Sequence, residues 1–171
     1  MGRNERCKED FIGVNREEGM GRPMRFRPRL EGCVAKDRHF AAALEGCYVE
    51  TFSTIAANIY RSLLTAGKDQ TLSDLLDWVA TEEVESFRLL GELILALGGD
   101  AAIRQMRRVR GAGGEPCACF LRECCAERRR LIDRYETLMS RTGDRVVRSI
   151  LAKLLSGERR MLERLEGLSI R

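Results

Sequence analysis

Two glutamates, Glu83 and Glu158, fall where the hydrophobic pattern demands leucine. Glu83 interrupts the stripe Leu72, Leu76, Val79, Ser86, Leu90, Leu93 and Leu97, and Glu158 interrupts Val147, Leu151, Leu154, Met161, Leu165 and Leu168. Steps of three and four put each acid on the inward face of a helix. A buried carboxylate is costly unless it is protonated, ion-paired or bound to a cation. In a helical bundle, two such acids on facing helices suggest a dinuclear carboxylate site, which takes one Glu from each of two helices and a Glu-x-x-His from each of the other two. Here the triplets read Glu83-x-x-Ser86 and Glu158-x-x-Met161, and the sole histidine, His39, is far from both.

Two more polar residues sit in the remaining stripes. Thr51 belongs to Leu44, Tyr48, Thr51, Ile55, Ile59 and Leu63, and Arg128 belongs to Leu121, Cys124, Arg128, Leu131, Tyr135 and Leu138. A guanidinium at Arg128 could bridge Glu83 and Glu158 bidentately and supply the charge a metal would supply. The opposing rotation of that helix sends Arg128 to solvent along its stem and turns Glu127 inward. An all-carboxylate set of Glu50, Glu83, Glu127 and Glu158, assisted by Glu123, would instead suit manganese, magnesium or iron.

Four helices must position these groups. The first begins near Asp37 and ends at Gly67, and the second follows a capping start at Thr71-Leu72-Ser73-Asp74 and stops at Gly98-Gly99. Pro116 opens the third, and Gly143-Asp144 separates it from the fourth. Each helix is about 25 residues, or roughly 40 Å long. The short first and last connections predict two antiparallel hairpins. The link over residues 98–115 is rich in glycine and arginine, and could reach about 60 Å if extended. One long crossover between two hairpins is the ferritin-like connectivity. Each hairpin also places one acid in the stripe of its second helix, as in an internal repeat.

The segment from Glu82 through Ile94, followed by Leu97-Gly98-Gly99-Asp100, resembles the second helix of rubrerythrin-related and manganese-catalase-related bundles of the ferritin-like superfamily. Ile55, Ile59 and Tyr60, then Leu131, Ile132 and Tyr135, then Glu158 to Leu165 extend the resemblance over residues 38–168. It implies an all-α ferritin-like four-helix bundle at residues 36–171; the glycines, the prolines and the absence of a helical period in residues 1–35 predict a basic extended arm before it. The resemblance also implies a two-metal site whose ligands have been lost: both motif histidines are replaced, and Thr51 and Arg128 stand where the family has lone glutamates. Glu50 and Glu127 are one residue off, a turn of about 100°. The vestigial cluster is then Thr51, Glu83, Ser86, Arg128, Glu158 and Met161.

The seven cysteines carry no zinc-ribbon spacing. Cys117, Cys119, Cys124 and Cys125 could hold zinc or copper, but a helix points them in different directions, so core filling is expected. Cys7, Cys33 and Cys47 form no motif. Arg22, Arg25, Arg27 and Arg29 in the arm, with Arg104, Arg107, Arg108 and Arg110 in the link, could make a stripe for phosphates or an acidic partner, but the favoured reading is an arm that packs across acidic faces of its own bundle or of a twin. With Phe26 alone among them, they lack a base-stacking platform. The net charge of +4 does not imply nucleic acid by itself, and three prolines among 44% hydrophobic residues favour long helices over a β fold. No secretory signal and no membrane span is read, so reduced thiols and a cytoplasmic location are expected.

The sequence therefore predicts a non-catalytic, cofactor-free bundle with a structural or assembly role as a homo-oligomer. The alternatives are a metal-binding oxidoreductase with iron or manganese on the carboxylates, and a basic nucleic-acid-associated bundle.

Overall fold

A computed structural model describes residue 30, residues 33–103 and residues 117–169. The described chain is all-helical: α1 (Arg38–Thr65), α2 (Gln70–Ala96), α3 (Cys117–Arg141) and α4 (Arg145–Ser169). Helix starts follow from side-chain caps that satisfy otherwise free backbone donors. Asp37 accepts from the Phe40 amide, and Asp144 accepts from Val146 and Val147. The cap of α2 is Asp69, which accepts from Leu72. This corrects the expected start at Thr71–Asp74, because the acid just before Gln70 outcompetes the later hydroxyls for the same amides.

The end of α2 is fixed by a glycine pair. Gly98 has φ +86°, the left-handed conformation that glycine adopts without strain. This turn lets Gly99 N–H reach the Ile94 carbonyl at 2.9 Å and Gly98 N–H reach that of Leu95 at 3.0 Å, closing a Schellman motif. The Asp37 amide then bonds the Leu97 carbonyl at 3.0 Å and pins the start of α1 to the end of α2.

Packing is most extensive between α1 and α2 and between α3 and α4, with α1 also against α3 and α2 against α4. Glu50 pairs with Arg130 and Arg134, while Arg61 pairs with Glu123 and Glu127, so α1 and α3 are antiparallel. Leu72 and Leu76 share a cluster with Met161 and Leu165, whereas Leu90 and Leu93 share one with Leu151 and Leu154, so α2 and α4 are antiparallel too. Hence α1 and α4 point one way and α2 and α3 the other. The end of α2 and the start of α3 lie at opposite ends of the bundle.

The core has two apolar parts. One contains Leu44, Leu93, Leu131, Tyr135, Leu151 and Val34, with Leu30 packed on it. Val34 and Leu30 fall within the arm expected from sequence, yet they bury apolar surface on the bundle. The other part contains Leu72, Leu76, Val79, Cys124, Cys125, Met161 and Leu165. Between the two parts α2, α3 and α4 place Glu83, Arg128 and Glu158, and α1 gives the second part no apolar residue but a polar row. That row is Thr51, Thr54, Asn58, Arg61 and Thr65, all buried, while Ile59 and Leu63 are exposed. The stripe expected for α1 therefore holds through Ile55 and fails beyond it, because a polar set with the same spacing takes the inward face. No described helix is long and apolar enough to cross a membrane.

The α2 terminus supplies a test of packing. A Cβ on Gly99 would come within 2.7 Å of Ala41 Cβ and 2.9 Å of Ile94 Cγ2, whereas one on Gly143 meets nothing within 4 Å. Gly99→Ala should lower stability by about 1–3 kcal/mol in urea unfolding, the usual cost of overpacking. Gly143→Ala should leave the midpoint nearly unchanged.

Candidate functional site: a buried carboxylate–arginine cluster

The polar layer is centred on Arg128, which is fully buried together with Glu83 and Glu158. Its Nη2 forms an ion pair with Glu83 Oε1, and its Nη1 lies 3.0 Å from Glu158 Oε2. Glu83 also accepts from Thr54 Oγ1 and, at 2.9 Å, from Asn58 Nδ2. Its carboxylate thus has charged and neutral donors from two helices.

Asn58 passes the network on. Its Oδ1 accepts from the Cys124 thiol at 3.2 Å and from Arg61 Nη1 at 3.4 Å. Arg61, itself buried, reaches Glu123 at 2.6 Å and Glu127 at 3.2 Å on α3. A chain of hydrogen bonds and ion pairs therefore runs from half-exposed Glu123 through Arg61, Asn58, Glu83 and Arg128 to Glu158.

One cation faces two carboxylates at the centre, and the titration follows from that count. Burial raises the Glu83 pKa, opposed by Arg128, Thr54 and Asn58. Burial, together with the charges of Glu83 and Glu50, pushes Glu158 from 4.5 up to about 7, against the attraction of Arg128. Arg128 stays charged: the two acids raise its pKa more than burial lowers it. Glu158 is the acid with fewer donors, since its Oε1 has no hydrogen-bond partner. Tyr135 is a neighbour of both Thr51 and Glu158, and burial drives its pKa well above 10.

The residues of the expected cluster and of the all-carboxylate set all lie within the described part of the chain. Glu83, Arg128 and Glu158 come together. Met161 Sδ lies 4.0 Å from Arg128 Nη1, at the edge of the pair. Ser86 bonds back to the Glu82 carbonyl of its own helix and does not join them. Thr51 lies beside Tyr135. Glu50 is held by Arg134 at 2.7 Å and Arg130 at 3.2 Å, and Glu127 by Arg61. The four acids of the all-carboxylate set are thus spread over three groups of arginines. Arg128 does not turn to solvent, and Glu127 is only half-buried.

The thiols of Cys124 and Cys125 are buried, Cys119 is half-buried, and Cys33 is exposed. Burial pushes Cys124 up to about 12 and Cys47 up to about 11, so both are held as neutral thiols. Cys7 and the Cys117 side chain lie outside the described residues. So do all eight arginines of the basic patch, namely Arg22, Arg25, Arg27, Arg29, Arg104, Arg107, Arg108 and Arg110.

Sequence reasoning missed Thr54, Asn58 and Arg61, and placed Tyr135 on the inward stripe without a polar role. The signal was present: Thr51, Thr54, Asn58, Arg61 and Thr65 repeat at three and four, like a core stripe. A scan against family models, a search of curated proteins and a search of solved structures each returned no match.

A two-metal site needs carboxylates whose free oxygens converge on a cation and imidazoles to complete the shell. Here a covalently attached guanidinium lies against both central acids, and the residues one turn after them are Ser86 and Met161, not histidines. The donor set does not fit a dinuclear metal centre.

The shift at Glu158 has a measurable sign. Its folded pKa exceeds its unfolded one, so between them the native state holds a proton the unfolded chain releases. Its stabilising effect is fully present below about pH 4.5 and is lost as pH rises through about 7. Unfolding free energy should therefore fall across that window. Glu158→Gln should flatten this part of the profile.

Proposed function

We propose that this chain is a ferritin-like four-helix bundle, akin to the rubrerythrin and manganese-catalase group, that has become a non-catalytic scaffold. The single observation that carries the reading is Arg128, buried between Glu83 and Glu158 at ion-pair distance from both. A fixed positive charge there performs the electrostatic task of a metal pair without its redox chemistry.

The helix directions support the same reading. With α1 and α4 opposed to α2 and α3, the chain has to travel from one end of the bundle to the other between its two hairpins. That is the connectivity of ferritin-like folds rather than of the up-down bundle with short loops. What remains for such a protein is to present helical surfaces, in a structural or assembly role as a homo-oligomer.

The experiment is metal content by plasma mass spectrometry after anaerobic loading with Fe(II) or Mn(II) and desalting. The scaffold reading expects no retained metal and no oxygen uptake by the loaded protein. Retention of about two ions per chain, the stoichiometry of a dinuclear carboxylate site, would overturn it in favour of the oxidoreductase reading.

A further inference from the structure

Beyond Ile55 the two faces of α1 change character: Asn58, Arg61 and Thr65 are buried, while Ile59, Tyr60 and Leu63 are exposed. Val49, Phe52 and Ala56 are half-buried, and Ile59 and Leu63 are 47% and 70% exposed. These five positions alternate at three and four, the a/d spacing by which helices pair through knobs-into-holes contacts. On α2 the neighbouring outward positions are Asp77, Thr81, Val84 and Arg88, with Val84 53% exposed. Phe52 and Phe87, with ring centroids 5.5 Å apart, join the two helices on this face. It lies away from α3, whose Glu123, Cys124 and Glu127 take the polar side of α1. A contiguous apolar strip of this kind marks an interaction surface.

Its charges indicate what covers it. Glu45 lies one turn before Val49, and Lys68 lies just beyond Leu63. On α2, Arg88 is level with the Glu45 end and Asp77 with the Lys68 end, because Phe87 abuts Phe52 and Ser73 abuts Ser62. Each end thus carries one charge of each sign, in opposite order. A two-fold axis near Ala56, the midpoint of the strip, sets Val49 against Leu63 and Phe52 against Ile59 and Tyr60. It also sets Glu45 against Lys68, and Arg88 against Asp77. Parallel pairing of the same strip would put like charges together at both ends. Arg88 already holds Glu85 and Glu92, so the Glu45–Lys68 pair is the cleaner probe.

We propose that this face of the α1–α2 hairpin is the interface with a second copy of the chain, α1 packing antiparallel on its twin about an axis at Ala56. The inference deepens the assembly role proposed above and rests on it. Its test reads mass rather than metal, so the two can fail separately.

The experiment is sedimentation velocity on the full chain under reducing conditions, at about 0.1 mM and on dilution. The wild type is expected as a dimer or a multiple of one. Ile59→Glu/Leu63→Glu is expected to be monomeric with unchanged helical circular dichroism and melting temperature. Lys68→Glu should weaken the dimer about tenfold, since the axis repeats the lost pair and adds repulsion. Glu45→Lys/Lys68→Glu should restore it. A monomeric wild type, or a double glutamate variant that keeps its dimer, would overturn the proposal. So would a double variant that loses its fold, since the face would then be covered by the chain's own residues. A charge swap that fails to restore the dimer would overturn the antiparallel arrangement.

Discussion

One guanidinium and two carboxylates share the centre of this bundle with no access to water. An unpaired charge in that position would be prohibitive, and a single arginine cannot neutralise two acids. Much of the polar architecture follows from that imbalance. Thr54 and Asn58 face inward to complete the shell of Glu83. The Asn58 Oδ1 in turn needs donors, which Cys124 and Arg61 provide. Arg61 in turn needs Glu123 and Glu127, which carry the network to the surface. The remaining negative charge is relieved at Glu158, whose raised pKa means a proton is held near neutrality.

The layer divides the apolar core into two parts and fixes their register. Sliding α3 by one turn along its neighbours would strand Arg128 among leucines and leave both acids unpaired. Buried ionic groups add little net stability over well-packed apolar ones, but they penalise every alternative packing. Such a role agrees with the scaffold proposed above, in which a unique arrangement of helices matters more than a reactive centre. It also accounts for a reactive-looking set of residues, including a buried thiol and a buried tyrosine, held in neutral and inaccessible forms.

Much of this was legible in the residue pattern, and the failures have a physical cause. Glu83, Glu158 and Arg128 were visible because each breaks an otherwise apolar stripe at an inward position. Helices α2 and α4 have only one such stripe, so their inward faces were unambiguous, whereas on α3 the adjacent Glu127 competed with Arg128 for the inward position. Helix α1 has two stripes in competition: Ile55, Ile59 and Leu63 on one, and Thr54, Asn58 and Arg61 on the other. Hydrophobicity favours the first, but the charge imbalance across the bundle recruits the second. That imbalance is set by α2, α3 and α4 and cannot be read from α1 itself. The cap of α2 was missed for a smaller reason, since Asp69, Thr71 and Ser73 are all good caps within one turn. The partners of Glu50 were hidden too, because Arg130 and Arg134 lie on a neighbouring helix whose facing side only the fold defines.

The central claim is that Arg128 is bound energetically to both acids, and a mutant cycle measures this directly. Unfolding free energies would be compared for the wild type, Arg128→Met, Glu83→Gln/Glu158→Gln and the variant carrying all three changes. If the arginine neutralises the acids, Arg128→Met alone should cost roughly 3–5 kcal/mol, and removing the acids as well should recover most of it. Additivity within about 0.5 kcal/mol would instead mean the groups are independent. That result would contradict a core organised around the charge of Arg128.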